Sequence, residues 1–263
     1  MKKVIVLMNN GAYVDKVIQT IREIRHIGKW EDDIVVLPDK ESSSNLERYS
    51  QELNFQIKLF ESIDLGHILQ SIRERPFATT IDNRELTKTF QWHKMHIFDV
   101  FFKQWDMVFY IDAGMKIMND LSVFTKIFCE YQNTGKPVFL AHSDAYPSFE
   151  WKLHIQFEKV SNPILYEKLA SEFNLNCDYF QSGMIIFESA LITERTKQEL
   201  LDLANMYPIS KTNEQGIMNL YFICIQNIWK ALPVKYGNLF TYDYWNREGY
   251  TLHDYCMTKY SRC

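Results

Sequence analysis

Short apolar runs, each stopped by small or polar residues, alternate along this chain with longer stretches in which apolar residues recur every three or four positions. Residues 4–7, Val-Ile-Val-Leu, predict a first strand followed by the loop Asn9-Asn10-Gly11. From 13 to 30, Val14, Val17, Ile18, Ile21, Ile24 and Ile27 sit at helical spacing between charged residues and predict an amphipathic helix. Residues 34–37 read as a second strand stopped by Pro38, residues 39–45 as a surface loop or helix start, and residues 55–60 as a weak third strand. A helix over 84–104 is expected to deliver the chain into the apolar strand 107–111. Beyond it come a helix at 121–131, a strand at 137–141, an irregular segment at 142–156, a helix at 162–173 and a strand at 184–187. Helices at 193–206 and 214–226 and a strand at 231–234 complete the series. Strands alternating with helices predict an α/β fold: a Rossmann-like, mostly parallel sheet with helices on both faces.

One strand carries a chemical signal. The run Met107-Val108-Phe109-Tyr110-Ile111 ends on Asp112, followed by Ala113 and Gly114. A buried strand ending in Asp puts a carboxylate at the carboxyl edge of the sheet, where open α/β proteins bind ligands. Two small residues after it let a ligand or hydrated metal approach the backbone. The competing reading is an ordinary turn aspartate.

Composition narrows the function. A formal net charge of −4 without long basic runs argues against a nucleic-acid partner. At 263 residues the chain suits one large domain, and the first apolar run is too short for a signal peptide. No stretch reaches the roughly 20 apolar residues that span a bilayer. Five cysteines at irregular spacings, Cys129, Cys177, Cys224, Cys256 and Cys263, suit reduced thiols in the cytoplasm. A Gly-rich phosphate loop, a His-Glu-x-x-His helix and a Gly-x-Ser-x-Gly elbow are all missing from the sequence. The aromatic fraction, 15%, fits either a sugar- or base-binding surface or a Phe- and Tyr-rich core.

Six motifs in order resemble the nucleotide-sugar glycosyltransferases of family 8, the group of glycogenin and galactinol synthases, along nearly the whole chain. They are Leu7-Met8-Asn9-Asn10-Gly11-Ala12-Tyr13, Trp92-His93-Lys94-Met95-His96, Phe109-Tyr110-Ile111-Asp112-Ala113-Gly114, Gln181-Ser182-Gly183, Glu214-Gln215 with Asn219, and His253 through Lys259. The resemblance implies a single GT-A type domain over 1–263, with a nucleotide-binding part over about 1–118 and an acceptor-side part over about 119–263. It implies transfer of a hexose from UDP-glucose or UDP-galactose, with retention, to a carbohydrate, polyol or glycosylated protein acceptor. It also implies a divalent cation, manganese or magnesium, held by Asp112 and His253 as a Lewis acid on the departing diphosphate. Leu7, Met8, Asn9, Asn10, Tyr13, Ala113, Gly114, Cys256 and Lys259 would line the nucleotide. Lys94, Gln181, Ser182, Glu214 and Gln215 would surround the sugar, with Lys94, Glu214 and Gln215 as catalytic candidates. A homodimer is compatible with this reading.

The residue types allow these roles. A Tyr13 ring stacks on a base and an Asn amide reads its edge; Lys259 offers a point charge to a diphosphate. Read without the resemblance, Tyr13 staples a helix, His253 is a surface histidine, and Lys94, Lys259, Glu214 and Gln215 are solvated polar residues. Departures from the family also matter. The usual Asp-x-Asp is Asp112-Ala113-Gly114, Cys256 replaces a Gly, and Tyr260-Ser261 replaces Pro-Trp. The missing carboxylate lowers expected metal affinity, although water and donor phosphates fill positions around a hard cation. It also opens a second reading, a nucleotide-sugar-binding protein with weakened catalysis. A nucleotidyltransferase, a third reading, requires a basic Gly-rich loop after the first strand, which Asn9-Asn10-Gly11 is not. The aromatic segments 142–156, with Tyr146, Phe149 and Trp151, and 242–250 are candidate acceptor walls or core-covering loops.

Overall fold

Eleven strands are formed by β1 (Lys3–Asn9), β2 (Asp33–Pro38), β3 (Gln56–Ile57), β4 (Met107–Ile111), β5 (Lys116–Ile117), β6 (Phe139–Ser143), β7 (Phe180–Glu188), β8 (Trp229–Ala231), β9 (Lys235–Tyr236), β10 (Leu239–Asp243) and β11 (Tyr255–Thr258). They belong to a computed structural model that describes residues 1–74, 88–144, 151–243 and 252–259. Seven strands make the main sheet in the order β3-β2-β1-β4-β7-β6-β8, and four make a small sheet in the order β5-β11-β10-β9.

Strict alternation along the central strands explains why the main sheet is covered on both sides. Val4, Val6 and Met8 of β1, with Val108 and Tyr110 of β4, face one apolar cluster; Ile5, Leu7, Met107, Phe109 and Ile111 face another. Side chains at successive strand positions point to opposite faces, so such unbroken apolar runs bury both. The second cluster is closed by α1 (Val14–His26), whose Val17, Ile18, Ile21 and Ile24 are buried at the predicted spacing. It also takes in Phe124, Ile127 and Phe128 of a later helix, Ser122–Gln132, and Cys256 and Met257 of the small sheet. In chain order α2 (Ser43–Ser50) and α3 (Gly66–Arg73) come between, so that helix is α4; α5 (Pro163–Glu172), α6 (Thr196–Met206) and α7 (Glu214–Asn219) follow. Asn162 caps α5, accepting from the Leu165 amide at 3.2 Å ahead of Pro163, as the Asn-Pro pair predicts. Among the described residues, no helix is long and apolar enough to cross a membrane.

Several differences from the expected elements shape the site. The helix expected over 84–104 is instead two 3₁₀ segments in its described part, Thr89–Phe98 and Val100–Gln104. Trp92, Lys94, Met95, His96, Ile97 and Phe98 are buried in succession, so the first segment has no solvent-facing side for an amphipathic α-helix to use. Strand β7 begins at Phe180, four residues before its expected start, and runs antiparallel to both β4 and β6 while the other neighbouring strands of the main sheet pair in parallel. The helix expected over 214–226 is α-helical to Asn219 and π-helical over Leu220–Ile225. The small sheet was not expected at all, because its strands are two to five residues long. Within the two aromatic segments, residues 145–150 and 244–250 lie outside the described residues, as do 84–87.

Candidate functional site

Reversal of β7 brings the candidate residues together. Parallel strands β1, β2, β4 and β6 end at one edge of the sheet, and an antiparallel strand starts there. Ile111 pairs with Met184, and the Asp112 amide donates to the Gly183 carbonyl at 2.9 Å. Gln181-Ser182-Gly183 therefore stands beside Asp112, inside the strand rather than in a loop before it. The chain then turns through Gly114 directly into β5, which pairs with β11 through Lys116 and Thr258. This register carries Lys259, the next residue, back to the same edge.

Gly183 lets the strands sit this close. A Cβ there would lie 3.2 Å from both Asp112 Oδ2 and the Met115 methyl, and 3.6 Å from the Tyr242 hydroxyl. Gly114 has φ +81°, a conformation that glycine alone adopts without cost. The position lacking the second carboxylate is thus one where the backbone itself favours glycine.

At the centre is Lys94, 2% exposed. Its Nζ donates to Glu214 Oε1 at 2.8 Å and Ser182 Oγ at 3.0 Å and lies 3.4 Å from Asp112 Oδ1. The Tyr110 ring centroid is 5.0 Å from the same ammonium, and the Tyr110 hydroxyl donates to Asp112 Oδ1 at 2.6 Å. Lys259 Nζ donates to Asp112 Oδ2 at 3.3 Å. Ser182 also donates to Glu214 Oε1 at 2.9 Å, while its amide donates to Gln215 Oε1 at 3.0 Å. Gln215 Nε2 donates to Gln156 Oε1 at 2.9 Å.

Electrostatics separates the two carboxylates. Burial disfavours charge on Asp112, but Lys94 and Lys259 outweigh it and hold the carboxyl at about 2. For Glu214, burial is the largest influence and leaves the carboxyl raised despite Lys94. Burial opposes the charge of Lys94, yet Asp112 and Glu214 prevail and raise its pKa. Two carboxyls pushed in opposite directions around one buried ammonium form a pre-set charge distribution of the kind that chemical steps use.

The first-strand loop is different. Asn9 is buried and donates through Nδ2 to Ser42 Oγ at 2.9 Å, and Ser42 is in turn held by Asp39. Asn9 Oδ1 and Asn10 Oδ1 are buried without a hydrogen-bond partner among the described residues, as are Gln181 Oε1 and Glu214 Oε2. Buried acceptors of this kind call for a donor. Tyr13 is 39% exposed, its ring 4.7 Å from the Lys16 ammonium. Leu7 and Met8 are buried in the two apolar clusters, and Ala113 is half-buried.

His253 is exposed on the short 3₁₀ turn Leu252–Asp254, and its carbonyl accepts from Asn119 Nδ2 at 2.9 Å. Among the described residues no three His, Cys, Asp or Glu side chains gather as metal ligands. Asp112 is partly open, at 24% exposure, and its oxygens already carry Tyr110, Lys94 and Lys259. Cys256 is fully buried in β11, and burial pushes its thiol up to about 12.

Sequence reasoning missed several supports. Tyr110 alternates with core residues and reads as one of them. Gln156 lies in the irregular segment, and Asp144, which accepts from Tyr179 and from Gln181 Nε2 at 2.6 Å, follows β6 without a motif. Asn213, at φ +53°, donates to Gln91 Oε1 at 2.8 Å and to the Lys88 carbonyl at 3.2 Å, fixing the turn that presents Glu214. By contrast Asn219, named with the Glu214-Gln215 motif, clamps β7 to α7: it accepts from the Phe180 amide at 2.8 Å and donates to the Phe180 carbonyl at 2.9 Å and the Gln215 carbonyl at 2.8 Å.

No protein-family model and no curated protein sequence matches the chain. Solved structures do. The chain is similar to mouse xyloside xylosyltransferase 1 in its apo form, with 12% identity, 98% of this chain and 97% of that one covered, and a TM-score of 0.55. It is similar to core-mannan synthase A from Aspergillus fumigatus in its Mn/GDP form, with 9% identity, 88% and 73% coverage and a TM-score of 0.56. It is also similar to the glycosyltransferase GlyE of Streptococcus pneumoniae, with 16% identity and a TM-score of 0.51. There 88% of this chain matches, but it spans only 45% of that protein's length. These likenesses establish the fold, the α/β architecture of GT-A glycosyltransferases.

Proposed function

We propose that this chain is a nucleotide-sugar-dependent glycosyltransferase that moves a hexose from UDP-glucose or UDP-galactose to a carbohydrate, polyol or glycosylated protein acceptor. The observation that carries the reading is the Lys94-Asp112-Glu214-Ser182-Lys259 cluster at the carboxyl edge of a GT-A fold. Buried acceptors on Asn9, Asn10, Gln181 and Glu214, without a partner among the described residues, accompany it. Residues 1–118 would bind the nucleotide and 119–263 the acceptor side.

In this reading the base stacks on Tyr13, and its N–H groups satisfy Asn9 and Asn10. Sugar hydroxyls donate to Gln181 Oε1 and Glu214 Oε2. Charge that develops on the departing diphosphate meets Lys259, whose ammonium faces Asp112, while Lys94 keeps Asp112 and Glu214 in place. Gln215, anchored by Ser182 and Gln156, stands where it would contact the transferred sugar. Retention of configuration comes with the family 8 resemblance.

A divalent cation is the finer part of the proposal. Asp112 is a hard oxygen donor at the open edge and fits as one ligand of manganese or magnesium, with His253 as a second candidate from the turn before β11. The cation would act as a Lewis acid on the diphosphate. Because Lys259 faces the same carboxylate, the chain supplies part of that positive charge itself, and we expect dependence on the cation to be partial.

The test is UDP release from a panel of UDP-sugars, with and without manganese and with simple sugar and polyol acceptors. Release faster with UDP-glucose or UDP-galactose than with other nucleotide sugars supports the proposal. UDP binding by calorimetry without turnover selects the binding-protein reading, and neither binding nor turnover overturns both.

A further inference from the structure

Two of the cysteines lie together, away from the charged edge. Cys177 sits in the connection between α5 and β7, and Cys224 in the π-helical segment after α7. Both thiols converge on one carbonyl, Asn174, at 3.3 Å from Cys177 Sγ and 3.8 Å from Cys224 Sγ. Their proximity lowers the Cys177 thiol below the ordinary cysteine value and raises Cys224. Both are half-buried and so within reach of a small solute. By contrast, Cys256 is fully buried with a raised thiol, and Cys129 is on α4, on the other face of the sheet.

We propose that Cys177 and Cys224 form a peroxide-sensitive dithiol that closes to an intramolecular disulfide, tying the approach to β7 to the helical segment behind α7. The oxidant is hydrogen peroxide. The Cys177 thiolate attacks one peroxide oxygen, the O–O bond breaks, and hydroxide leaves and takes up the proton lost by the thiol, giving a sulfenic acid and one water. Cys224 Sγ then attacks the Cys177 sulfur; its proton and the sulfenic hydroxyl leave as a second water. Two thiols are oxidised by two electrons and one peroxide is reduced to two waters.

The site of the bridge gives it a consequence. Asn219 already clamps Phe180 of β7 to Gln215 of α7, and Cys177 and Cys224 flank that clamp in sequence, three residues before Phe180 and five after Asn219. A disulfide there would be a second tie between the same two elements, on the side remote from Ser182 and Glu214. It closes a loop of about 47 residues, long enough for the crosslink to restrict the unfolded chain substantially.

The test treats the full chain with near-stoichiometric hydrogen peroxide, blocks remaining thiols with N-ethylmaleimide and maps peptides by mass. The expected result is a Cys177–Cys224 linked peptide, a mass loss of two hydrogens, full reversal by dithiothreitol and a Tm raised by roughly 5 °C. With Cys224→Ser, dimedone is expected to trap a sulfenic acid at Cys177 about tenfold more than it traps Cys224 in Cys177→Ser. The proposal is overturned if both cysteines stay alkylable while others oxidise, if the crosslink joins another cysteine or another chain, or if the two single variants label equally.

Discussion

The carboxyl edge of the main sheet has two regions of opposite character. Around Asp112 the charges are already matched: Lys94 serves Asp112, Glu214 and Ser182, and Tyr110 and Lys259 complete Asp112. Around Asn9 and Asn10 two buried amide oxygens have no donor among the described residues, and Tyr13 holds an exposed ring. A region whose charges are matched in the free protein is pre-organised and contributes to stability as well as chemistry. One that is unsatisfied is completed by what binds. Mutations at the first should therefore damage fold and activity together, and mutations at the second should damage binding alone.

The largest effect is expected at Lys94. Truncating it to Ala leaves Asp112 and the 1% exposed Glu214 facing each other without their shared cation. Breaking a buried pair by removing one partner costs about 3–5 kcal/mol, measurable by urea denaturation. Loss of UDP release by about 10³-fold or more should accompany it. Glu214→Gln sharpens the point. Burial already pushes Glu214 toward its neutral form, so an amide of the same shape should cost about 1 kcal/mol or less in stability while lowering turnover by about 10²-fold. Equal stability losses in the two variants would show that the cluster is not organised around the ammonium.

Much of this edge was legible in the sequence, and the reasons for the rest are physical. Unbroken apolar runs mark β1, β2 and β4 because both faces are covered, and helical spacing marks α1 because one side meets water. Asp112 was legible because a charge ending an apolar run is conspicuous. Strand direction is not written locally: the run Met184-Ile185-Ile186-Phe187 reads the same whichever way it pairs, yet only the antiparallel pairing sets Ser182 beside Asp112. Lys94 reads as a surface lysine by residue type, and its burial follows from partners 88 and 120 residues away. The pairing of Cys177 with Cys224 is equally non-local.

At the other region, Tyr13→Ala should weaken UDP binding about tenfold, the scale of one base-aromatic stack, and leave Tm unchanged. Isothermal calorimetry and a thermal melt on the same sample separate the two readouts. A fall in Tm with no change in UDP affinity would assign Tyr13 to holding α1 against the sheet, and the contrast between the two regions would fail at its most exposed residue.

The smallest expected effect concerns pH and tests the matched region from its acidic side. Asp112 is held at about 2, below the ordinary 3.8, because Lys94 and Lys259 outweigh burial. A carboxyl depressed in the folded state adds stability that is complete above the unfolded value near pH 4 and disappears as pH falls through about 2. Allowing for its 24% exposure, the contribution should be about 1–2 kcal/mol. Asp112→Asn removes this contribution, so the stability gap between the native chain and the variant should be widest at pH 5 and above and should narrow steadily toward pH 2. Urea denaturation at pH 5, 4 and 3 reads the gap directly. A gap that stays constant over that range would mean that Asp112 keeps Lys94 and Lys259 by shape rather than by charge, and the pre-organised half of the comparison would lose its electrostatic basis.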